Sequence, residues 1–241
     1  MNQSKAKRIR RVRVAEIQEG EQRLSSEASH YLGTVLRLRT GDTVELFDGH
    51  GVSAEATLTG FENKIAMIEV MDPTIHAPGE RLLTLAIATP KGERADLAVE
   101  KLCELGVHRI VWLESERSVS IPREKGQRNQ RRERIAETAA NQSGRYFVPV
   151  ITGPVPLATF LEQRFDRQFL GAFSENFLSE EIHNLPKSCN LCVMIGPEGG
   201  FTPSEITQIT HAGYLPRRLG AHILRVETAA LASAALLMGA P

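Results

Sequence analysis

The stretch IGPEGGFTPSEI, from Ile195 to Ile206, decides the fold of the second half of this chain. The apolar segment Leu191 to Ile195 leads into it and is typical of a buried strand. Gly199 and Gly200 follow, and glycines permit backbone angles and a close ligand approach that a side chain would block. The stretch therefore predicts a strand that runs through a glycine-rich loop directly into a helix.

The last part of this stretch has the residues of a helix start. Thr202 is the predicted N-cap, Pro203 suits the first helical position, and Glu205 completes a Thr-x-x-Glu capping box. The first amides of such a helix point back into the glycine loop. Ligands of parallel α/β sheets bind beyond the carboxyl ends of the strands. The junction is thus a candidate ligand site, although a tight strand-to-helix connection would show the same local pattern.

The glycine spacing excludes two common nucleotide loops. No Gly-Lys-Ser/Thr follows the glycines, as a phosphate-binding P-loop requires, and the Gly-x-Gly-x-x-Gly spacing of dinucleotide sites is missing. The predicted loop must therefore serve another ligand.

A second segment, LGAHILRVETAALASAALLMG from Leu219 to Gly239, again predicts a short strand, a loop and a helix. Thr228 is the candidate N-cap of that helix. From Ala229 to Met238 only Ser233 is polar, so the helix is apolar on every side and must be buried. A subunit contact in a homodimer would bury it, and so would an ordinary position in the core.

These two segments carry a resemblance to a known family. GPEGG (Gly196 to Gly200) and LGAHILRVETA (Leu219 to Ala229) resemble segments of the RsmE family of 16S ribosomal RNA uridine-N3 methyltransferases. Further matching segments follow the same order along nearly the whole chain: His30 to Gly51, Pro90 to Val107, Glu116 to Val119 and Ala139 to Pro149. The resemblance implies an α/β fold: a SPOUT-type knotted parallel-sheet methyltransferase domain, preceded by a small PUA-like β-barrel domain. It also implies S-adenosyl-L-methionine as cofactor, 16S rRNA as partner and a homodimer.

The chain departs from the family pattern at three positions. Val226 stands where the family commonly has Thr, Asn141 where it commonly has Glu, and Arg10 where the start often has Pro. None of these changes removes a charge that the chemistry needs. Val226 lacks a hydroxyl that could bond to the cofactor, and Asn141 argues against a catalytic base on its helix.

A domain boundary is predicted near Asp72 to Glu80, where two prolines and a glycine separate periodic segments. We expect a PUA-like RNA-binding domain over residues 1–75 and the methyltransferase domain over residues 76–241. The first part is mostly β, with a helix at Ser26 to Leu38 and strands at Thr43 to Phe47, Val52 to Leu58 and Ile65 to Val70. The second part alternates strands with helices, which predicts a parallel sheet. Its predicted strands are Leu82 to Ala88, Arg109 to Leu113, Val148 to Ile151, Gln168 to Ala172 and Leu191 to Ile195, and its helices include Arg94 to Leu105 and Leu157 to Arg164.

The composition agrees with a cytoplasmic protein of two domains. Its 241 residues exceed a typical single domain, and a hydrophobic content of 41% is ample for two cores. We expect no membrane partner, because no segment resembles a signal peptide or a membrane span. Three cysteines without a secretory signal indicate free thiols in a reducing compartment. Cys189 and Cys192 form a lone C-x-x-C pair, and zinc would need further ligands, so no metal site is predicted.

The formal net charge is zero, but phosphate contacts depend on local clusters of basic residues. One cluster lies between Met1 and Arg13, and a second between Arg123 and Arg134. Either could bind RNA, and the second could instead be the solvated face of a helix. The candidate RNA contacts are Arg8, Arg10, Arg11, Lys91, Arg94 and Arg145. For Lys91, Arg94 and Arg145, surface salt bridges are the alternative.

The cofactor is expected where strand ends near Ala172, Ile195 and Leu219 converge. The candidate cofactor-binding residues lie in or beside the two family-like loops, or on the preceding strand. They are Leu170, Ile195, Gly196, Pro197, Gly199, Gly200, Leu219, Gly220, Ile223, Leu224 and Thr228.

Methyl transfer to N3 of uracil needs a route for the N3 proton and a cation for the charge left on the uracil oxygens. Arg225 and Glu198 are the candidate catalytic residues, Arg225 as the cation and Glu198 as the proton acceptor. As an alternative, Glu198 or Glu227 only fixes the loop, and Arg225 pairs with one of them; we interpret Glu227 as structural. Alternative functions are ribose 2′-O methylation, or a non-catalytic RNA-binding or ribosome-assembly role.

Overall fold

The structure, a computed structural model, describes residues 10–90, 93–118 and 125–239, with side chains in the last range from Asn129 onward. The candidate RNA contacts Arg8 and Lys91 therefore lie outside the described residues. The chain forms two compact units. The first runs up to Pro78 and includes Ala140–Phe147, and the second contains Gly79–Ala139 and the chain from Val148 onward.

The first unit is built on a six-stranded mixed sheet with the order β1-β3-β4-β5-β2, and β6 pairs with β4. Only β1 and β3 run parallel among the described pairings of this sheet. Alternate residues of the strands fill its core, as expected for a sheet with one buried face. The strands are β1 (Arg11–Arg13), β2 (Gly20–Arg23), β3 (Thr43–Phe47), β4 (Val52–Glu62), β5 (Ile65–Val70) and β6 (Thr74–Ile75).

The helix of this unit is shorter than predicted. Ser25 Oγ accepts a hydrogen bond from the Ala28 amide at 3.2 Å, and α1 occupies only Ser26–His30. A π-helical turn, Tyr31–Val35, continues it. Ser25 is therefore the N-cap, and the helix widens before it reaches Leu38.

The second unit contains a parallel sheet of six strands with the order β12-β10-β11-β7-β8-β9. The predicted parallel sheet is confirmed. Its strands are β7 (Arg81–Ala88), β8 (Arg109–Glu114), β9 (Val150–Pro156), β10 (Arg167–Gly171), β11 (Cys189–Ile195) and β12 (Leu215–Arg217). Its helices are α2 (Arg94–Glu104), α3 (Lys125–Ser143), α4 (Leu157–Phe160), α5 (Leu178–Glu181), α6 (Pro203–His211) and α7 (Val226–Met238), with a 3-10 turn at Ile182–Asn184.

Both faces of this sheet are covered. Leu85 and Ile87 of β7 belong to one buried cluster, whereas Ala86 between them belongs to another. Successive side chains of a strand point to opposite faces, so one cluster lies on each side of the sheet. This double burial explains why β7 and β11 are almost continuously apolar.

The helix α7 corrects one prediction. It begins at Val226 with Arg225 as N-cap, so Thr228 lies inside the first turn and is not the cap. Thr228 is exposed, whereas Ala230 and Ala234 are fully buried in the cluster shared with α2 and β7. The apolar helix is therefore largely buried within its own unit.

Several other boundaries differ from prediction. Strand β4 continues past Leu58 to Glu62, and β9 occupies Val150–Pro156 rather than Val148 to Ile151. Helix α4 ends at Phe160: the Leu161 amide still bonds to the Leu157 carbonyl, but the Glu162 and Gln163 amides bond three residues back rather than four. The strand expected to end at Leu219 is β12, which stops at Arg217 because its neighbour β10 ends at the paired residue Gly171. Over the part of the chain that is described, no helix combines the length and the apolar character needed to cross a membrane.

Candidate functional site

Three loops of the second unit converge beyond the carboxyl ends of β10, β11 and β12. They enclose a cavity of about 480 Å³, within the range of about 300–1,000 Å³ typical of small-molecule sites. Nine candidate cofactor residues line it: Leu170, Ile195, Gly196, Pro197, Gly200, Leu219, Gly220, Ile223 and Leu224. The candidates Gly199 and Thr228 are absent from the described lining, and both candidate catalytic residues, Glu198 and Arg225, are present in it.

Two glycines let the loops approach the sheet closely. A Cβ at Gly171, the last residue of β10, would lie 2.7 Å from Ile195 Cδ1 and 3.0 Å from Leu219 Cδ1. A Cβ at Gly196 would lie 2.9 Å from the Phe201 ring. A side chain at either position would therefore displace groups that line the cavity. Sequence reasoning missed Gly171, because its role depends on neighbours that are distant in the chain.

The predicted capping box of α6 is confirmed. Thr202 Oγ1 accepts a hydrogen bond from the Glu205 amide at 3.3 Å, and Glu205 Oε2 accepts one from the Thr202 amide at 2.8 Å. The second oxygen of Glu205 accepts a bond from the Glu116 amide at 2.8 Å. With 4% exposure, the Glu205 side chain joins the end of the glycine loop to the loop that follows β8.

Arg117 supports the glycine loop from the same direction. Its guanidinium donates a hydrogen bond to the Gly199 carbonyl at 2.9 Å. Arg117 belongs to the family-like segment ERSV, but the residue that it contacts is 82 positions away in the chain. The sequence therefore identified Glu116 to Val119 as a family-like segment, but it did not show that Arg117 contacts the glycine loop.

Arg218 organises the third side of the cavity. Its Nε donates to the Gly220 carbonyl at 2.9 Å and a terminal nitrogen donates to the Ala221 carbonyl at 2.7 Å. The guanidinium also lies 4.5 Å from the ring centroid of Phe173 and 5.3 Å from that of Phe177, which is cation–π geometry. Arg218 thus holds the loop after β12 against the segment after β10. Neither Arg218 nor Phe173 was a predicted site residue.

The two candidate catalytic side chains are exposed at the cavity. Arg225 caps α7 only through its carbonyl, which accepts a bond from the Ala229 amide at 2.8 Å, and its side chain makes no capping bond. Among the described residues, neither Arg225 nor Glu198 has a hydrogen-bonded or ion-paired side chain. The alternative in which Arg225 pairs with Glu198 or Glu227 is not found in this conformation.

Glu227 has a structural environment. It is 8% exposed, and its Oε1 lies 3.6 Å from Arg94 Nε. The pairing supports the structural interpretation of Glu227. The Arg94 side chain is 44% exposed, so the pairing leaves part of this candidate RNA contact open to solvent.

The first unit corrects the assignment of Arg11 as an RNA contact. Its guanidinium is bonded to the Glu45 carboxylate and donates to the Ala140 and Arg145 carbonyls at 3.3 and 3.2 Å. It is only 9% exposed, and it also lies over the Tyr146 ring. Three of its five N–H donors are engaged inside the fold and the side chain is buried, so these contacts argue for a structural role rather than a phosphate contact.

Two other candidate contacts, Arg10 and Arg145, lie in this unit. Arg10 is 40% exposed and pairs with Asp42 at 3.2 Å, so its second terminal nitrogen remains available. Arg145 is half-buried beside Gly144.

The described part of the second basic cluster is largely engaged. Arg131 and Arg132 lie 2.8 and 3.9 Å from the Asp96 carboxylate. Arg132 is 9% exposed and its guanidinium lies 4.4 Å from the ring centroid of Trp112. Of the two interpretations of this cluster, the helix face is the one that these contacts favour.

Two protein families match this chain. The RNA methyltransferase domain family matches residues 78–238, and the RNA methyltransferase PUA domain family matches residues 24–68. The ribosomal RNA small subunit methyltransferase E of Synechocystis sp. is 31% identical over 220 residues, which covers 86% of this chain and 69% of that protein. The protein of the same name from Bacillus subtilis is 28% identical over 221 residues, which covers 86% of each chain.

Two solved structures are similar over almost the whole length. A methyltransferase of Legionella pneumophila in complex with bound SAM has a TM-score of 0.85 and 30% identity, and the match covers 96% of this chain and 98% of that one. Ribosomal RNA small subunit methyltransferase E of Neisseria gonorrhoeae, bound to S-adenosyl methionine, has a TM-score of 0.85 and 30% identity, covering 96% and 97%. The predicted fold class, a SPOUT-type methyltransferase domain preceded by a PUA-like domain, is confirmed. The chain belongs to the ribosomal RNA small subunit methyltransferase E (RsmE) family.

Proposed function

We propose that this protein transfers a methyl group from S-adenosyl-L-methionine to N3 of a uridine in 16S ribosomal RNA. The observation that carries the proposal is the convergence of both family-like loops, with Glu198 and Arg225, on one cavity at the strand ends. Membership of the RsmE family and two similar structures with bound SAM support it.

The cavity fits the proposed cofactor in shape and chemistry. Its aliphatic walls, among them Leu170, Ile195 and Leu224, suit the adenine ring and the methionine chain. A Cβ at Gly200 would meet no atom within 4 Å, so the loop backbone is open to a ligand there, and Gly200 has a φ of +69° that favours glycine. When bound, the cofactor supplies an electrophilic methyl group on its sulfonium.

The side chains at the cavity suit the acceptor. Neutral uracil carries a proton on N3, and that proton must leave before N3 can attack. In our proposal the Glu198 carboxylate takes it, directly or through one water. Arg225 donates hydrogen bonds to a uracil carbonyl oxygen and stabilises the negative charge that remains on the base. Both groups are free to do so, because neither is ion-paired with a described residue.

The product nucleoside tests the proposal. The protein is incubated with isotopically labelled S-adenosylmethionine and small ribosomal subunits from cells that lack the enzyme, and the digested RNA is analysed by mass spectrometry. We expect labelled N3-methyluridine. A labelled 2′-O-methyl nucleoside would keep the cofactor but overturn the acceptor, and a protein that fails to bind the cofactor in calorimetry would fit a non-catalytic role.

Glu198→Gln tests the proton acceptor. We expect kcat to fall by about 10²- to 10⁴-fold, the usual contribution of a general base, with the cofactor Kd unchanged. Glu175→Gln is the control, because Glu175 is also an exposed carboxylate near this end of the sheet but does not line the cavity. An unchanged rate for Glu198→Gln at saturating cofactor would exclude Glu198 as the base.

We further propose a cytoplasmic homodimer in which residues 1–75 and Arg8, Arg10, Lys91, Arg94 and Arg145 contact RNA, while residues 76–241 carry the cofactor. On α7, Leu231 and Leu236 are only half-buried, which leaves apolar surface for a second copy. Light scattering after size exclusion tests the dimer, and a molar mass near 26.6 kDa would contradict it.

A further inference from the structure

An exposed aromatic side chain stands at the cavity. Phe173 follows β10 by two residues, lines the cavity and is 73% exposed. The other phenylalanine of the described lining, Phe201, is 8% exposed and packs against Gly196. Of the two phenyl rings at the cavity, one therefore packs in its wall and the other is open to solvent.

The exposed Phe173 ring is held in place by contacts with Arg218. The Arg218 guanidinium lies 4.5 Å from its centroid, and Arg218 is itself fixed by two hydrogen bonds to loop carbonyls. The Arg218 amide also donates to the Asn176 carbonyl at 2.8 Å, so backbone and side chain tie together the same two segments. A ring positioned in this way loses little conformational entropy when a ligand covers its free surface.

The charges around the ring favour a nucleic acid over an apolar partner. Arg218 and Arg225 line the cavity beside Phe173, and Arg117 supports the adjoining glycine loop. Glu198 is the one carboxylate among the described lining residues. Aromatic rings next to basic side chains are the usual arrangement for binding unpaired bases.

We infer that Phe173 is the stacking platform for the acceptor base of the RNA substrate, which rests on the proposed function. A base must leave its helix before its N3 edge is accessible, and it then needs a surface to replace the lost stacking. Phe173 supplies that surface in the same cavity as Glu198 and Arg225. Arg218 acts as a positioning residue, because it holds the ring and does not need to touch the base.

Substitutions at position 173 separate stacking from apolar packing. Phe173→Leu retains an apolar side chain without a π face, whereas Phe173→Tyr retains the ring. For Phe173→Leu we expect the Kd and KM for unmethylated small subunits to rise about 5- to 150-fold, since one base–aromatic stack contributes about 1–3 kcal/mol. The Kd for S-adenosylmethionine should not change. Phe173→Tyr should stay close to the wild type.

Leu215→Ala is the matched control. Leu215 lies on β12 and is 44% exposed, but it does not line the cavity and has no ring. We expect its subunit Kd to change by less than about threefold. Subunit binding is measured by filter retention without methyl transfer. If the wild-type protein binds subunits but makes no N3-methyluridine, the proposed function is contradicted. The subunit Kd values still test whether Phe173 stacks on a base.

Three results would overturn the inference. They are wild-type affinity for subunits in Phe173→Leu, an equal loss in Phe173→Leu and Phe173→Tyr, and a loss of affinity that accompanies dissociation of a dimer in size exclusion. The last result would show that a second copy of the chain, rather than a base, covers the ring.

Discussion

Replacing Gly171 with Ala should weaken cofactor binding far more than it weakens the fold. The new Cβ would lie 2.7 Å from Ile195 Cδ1 and 3.0 Å from Leu219 Cδ1, whereas ordinary contact begins at 3.4 Å. The two methyl groups must therefore retreat by about 0.7 and 0.4 Å (3.4 − 2.7 and 3.4 − 3.0). Both belong to side chains that line the cavity, so open space is available to them there.

The expected magnitude follows from where the strain is relieved. Adding a methyl group to a packed site costs about 1–3 kcal/mol. If the displaced methyl groups move into the open cavity, the protein without ligand escapes most of this cost. A bound cofactor must then push them back, so the cost is transferred to binding. We expect the Kd for S-adenosylmethionine to rise about 5- to 150-fold, with only a small change in Tm.

Isothermal titration calorimetry measures the Kd, and thermal unfolding without ligand measures the stability. Gly220→Ala is the control, because Gly220 lines the same cavity but its added Cβ would lie 3.7 Å from the nearest Leu224 atom, an ordinary contact. Its Kd should stay within about threefold of the wild type. Equal affinities for Gly171→Ala and Gly220→Ala would refute the reasoning, and so would a large fall in Tm with an unchanged Kd.

Two further predictions concern stability. Glu205→Ala removes the acceptor of the Thr202 and Glu116 amides, each at 2.8 Å. Each unsatisfied amide costs about 1–3 kcal/mol, so the free energy of unfolding in urea should fall by about 2–6 kcal/mol. A loss below about 1 kcal/mol would contradict the coupling of the two loops. Burial raises the pKa of the Cys192 thiol from 9.0 to about 12, and burial also raises the pKa of Tyr214, which donates to the Cys192 sulfur. Both groups are neutral when protonated, and burial favours this neutral form in the folded protein. Their contribution to the stability of the fold is therefore complete below pH 9 and is lost as pH rises toward 12. Urea midpoints that stay constant over this pH interval would contradict the prediction.

Short sequence patterns predicted the helices and strands whose ends depend on residues a few positions away in the chain. The capping box of Thr202 and Glu205 marked the start of α6, because its partners are three residues apart. Strands β3 and β5 have their predicted bounds, since alternation of apolar residues shows both faces of a strand. The candidate cofactor residues came from the two loops that the parallel topology brings together.

Predictions from short sequence patterns failed where a residue's environment depends on the tertiary structure. Thr228 is a good N-cap residue, but α7 starts at Val226, where no side-chain cap is formed. Arg11 belongs to a basic run, yet Glu45 and two carbonyls more than 100 residues away engage its guanidinium. The Lys101 ammonium, by contrast, is paired with Glu100 and Glu104 at 2.7 and 2.9 Å, and these partners lie close to it in the chain.

By itself, the sequence determined the alternation of strands and helices in the second unit, the glycine loop with its helix start, and the family to which the chain belongs. These features depend on periodicity, caps and turn residues within a few positions, and on motifs in a fixed order. Only the tertiary structure decided that Gly171 must be glycine, that Arg11 is internal, and that Arg218 holds Phe173 beside the cavity. The physical reason is that contact distance, burial and ion pairing depend on which remote segments the parallel sheet brings together, and no local pattern of residues records that.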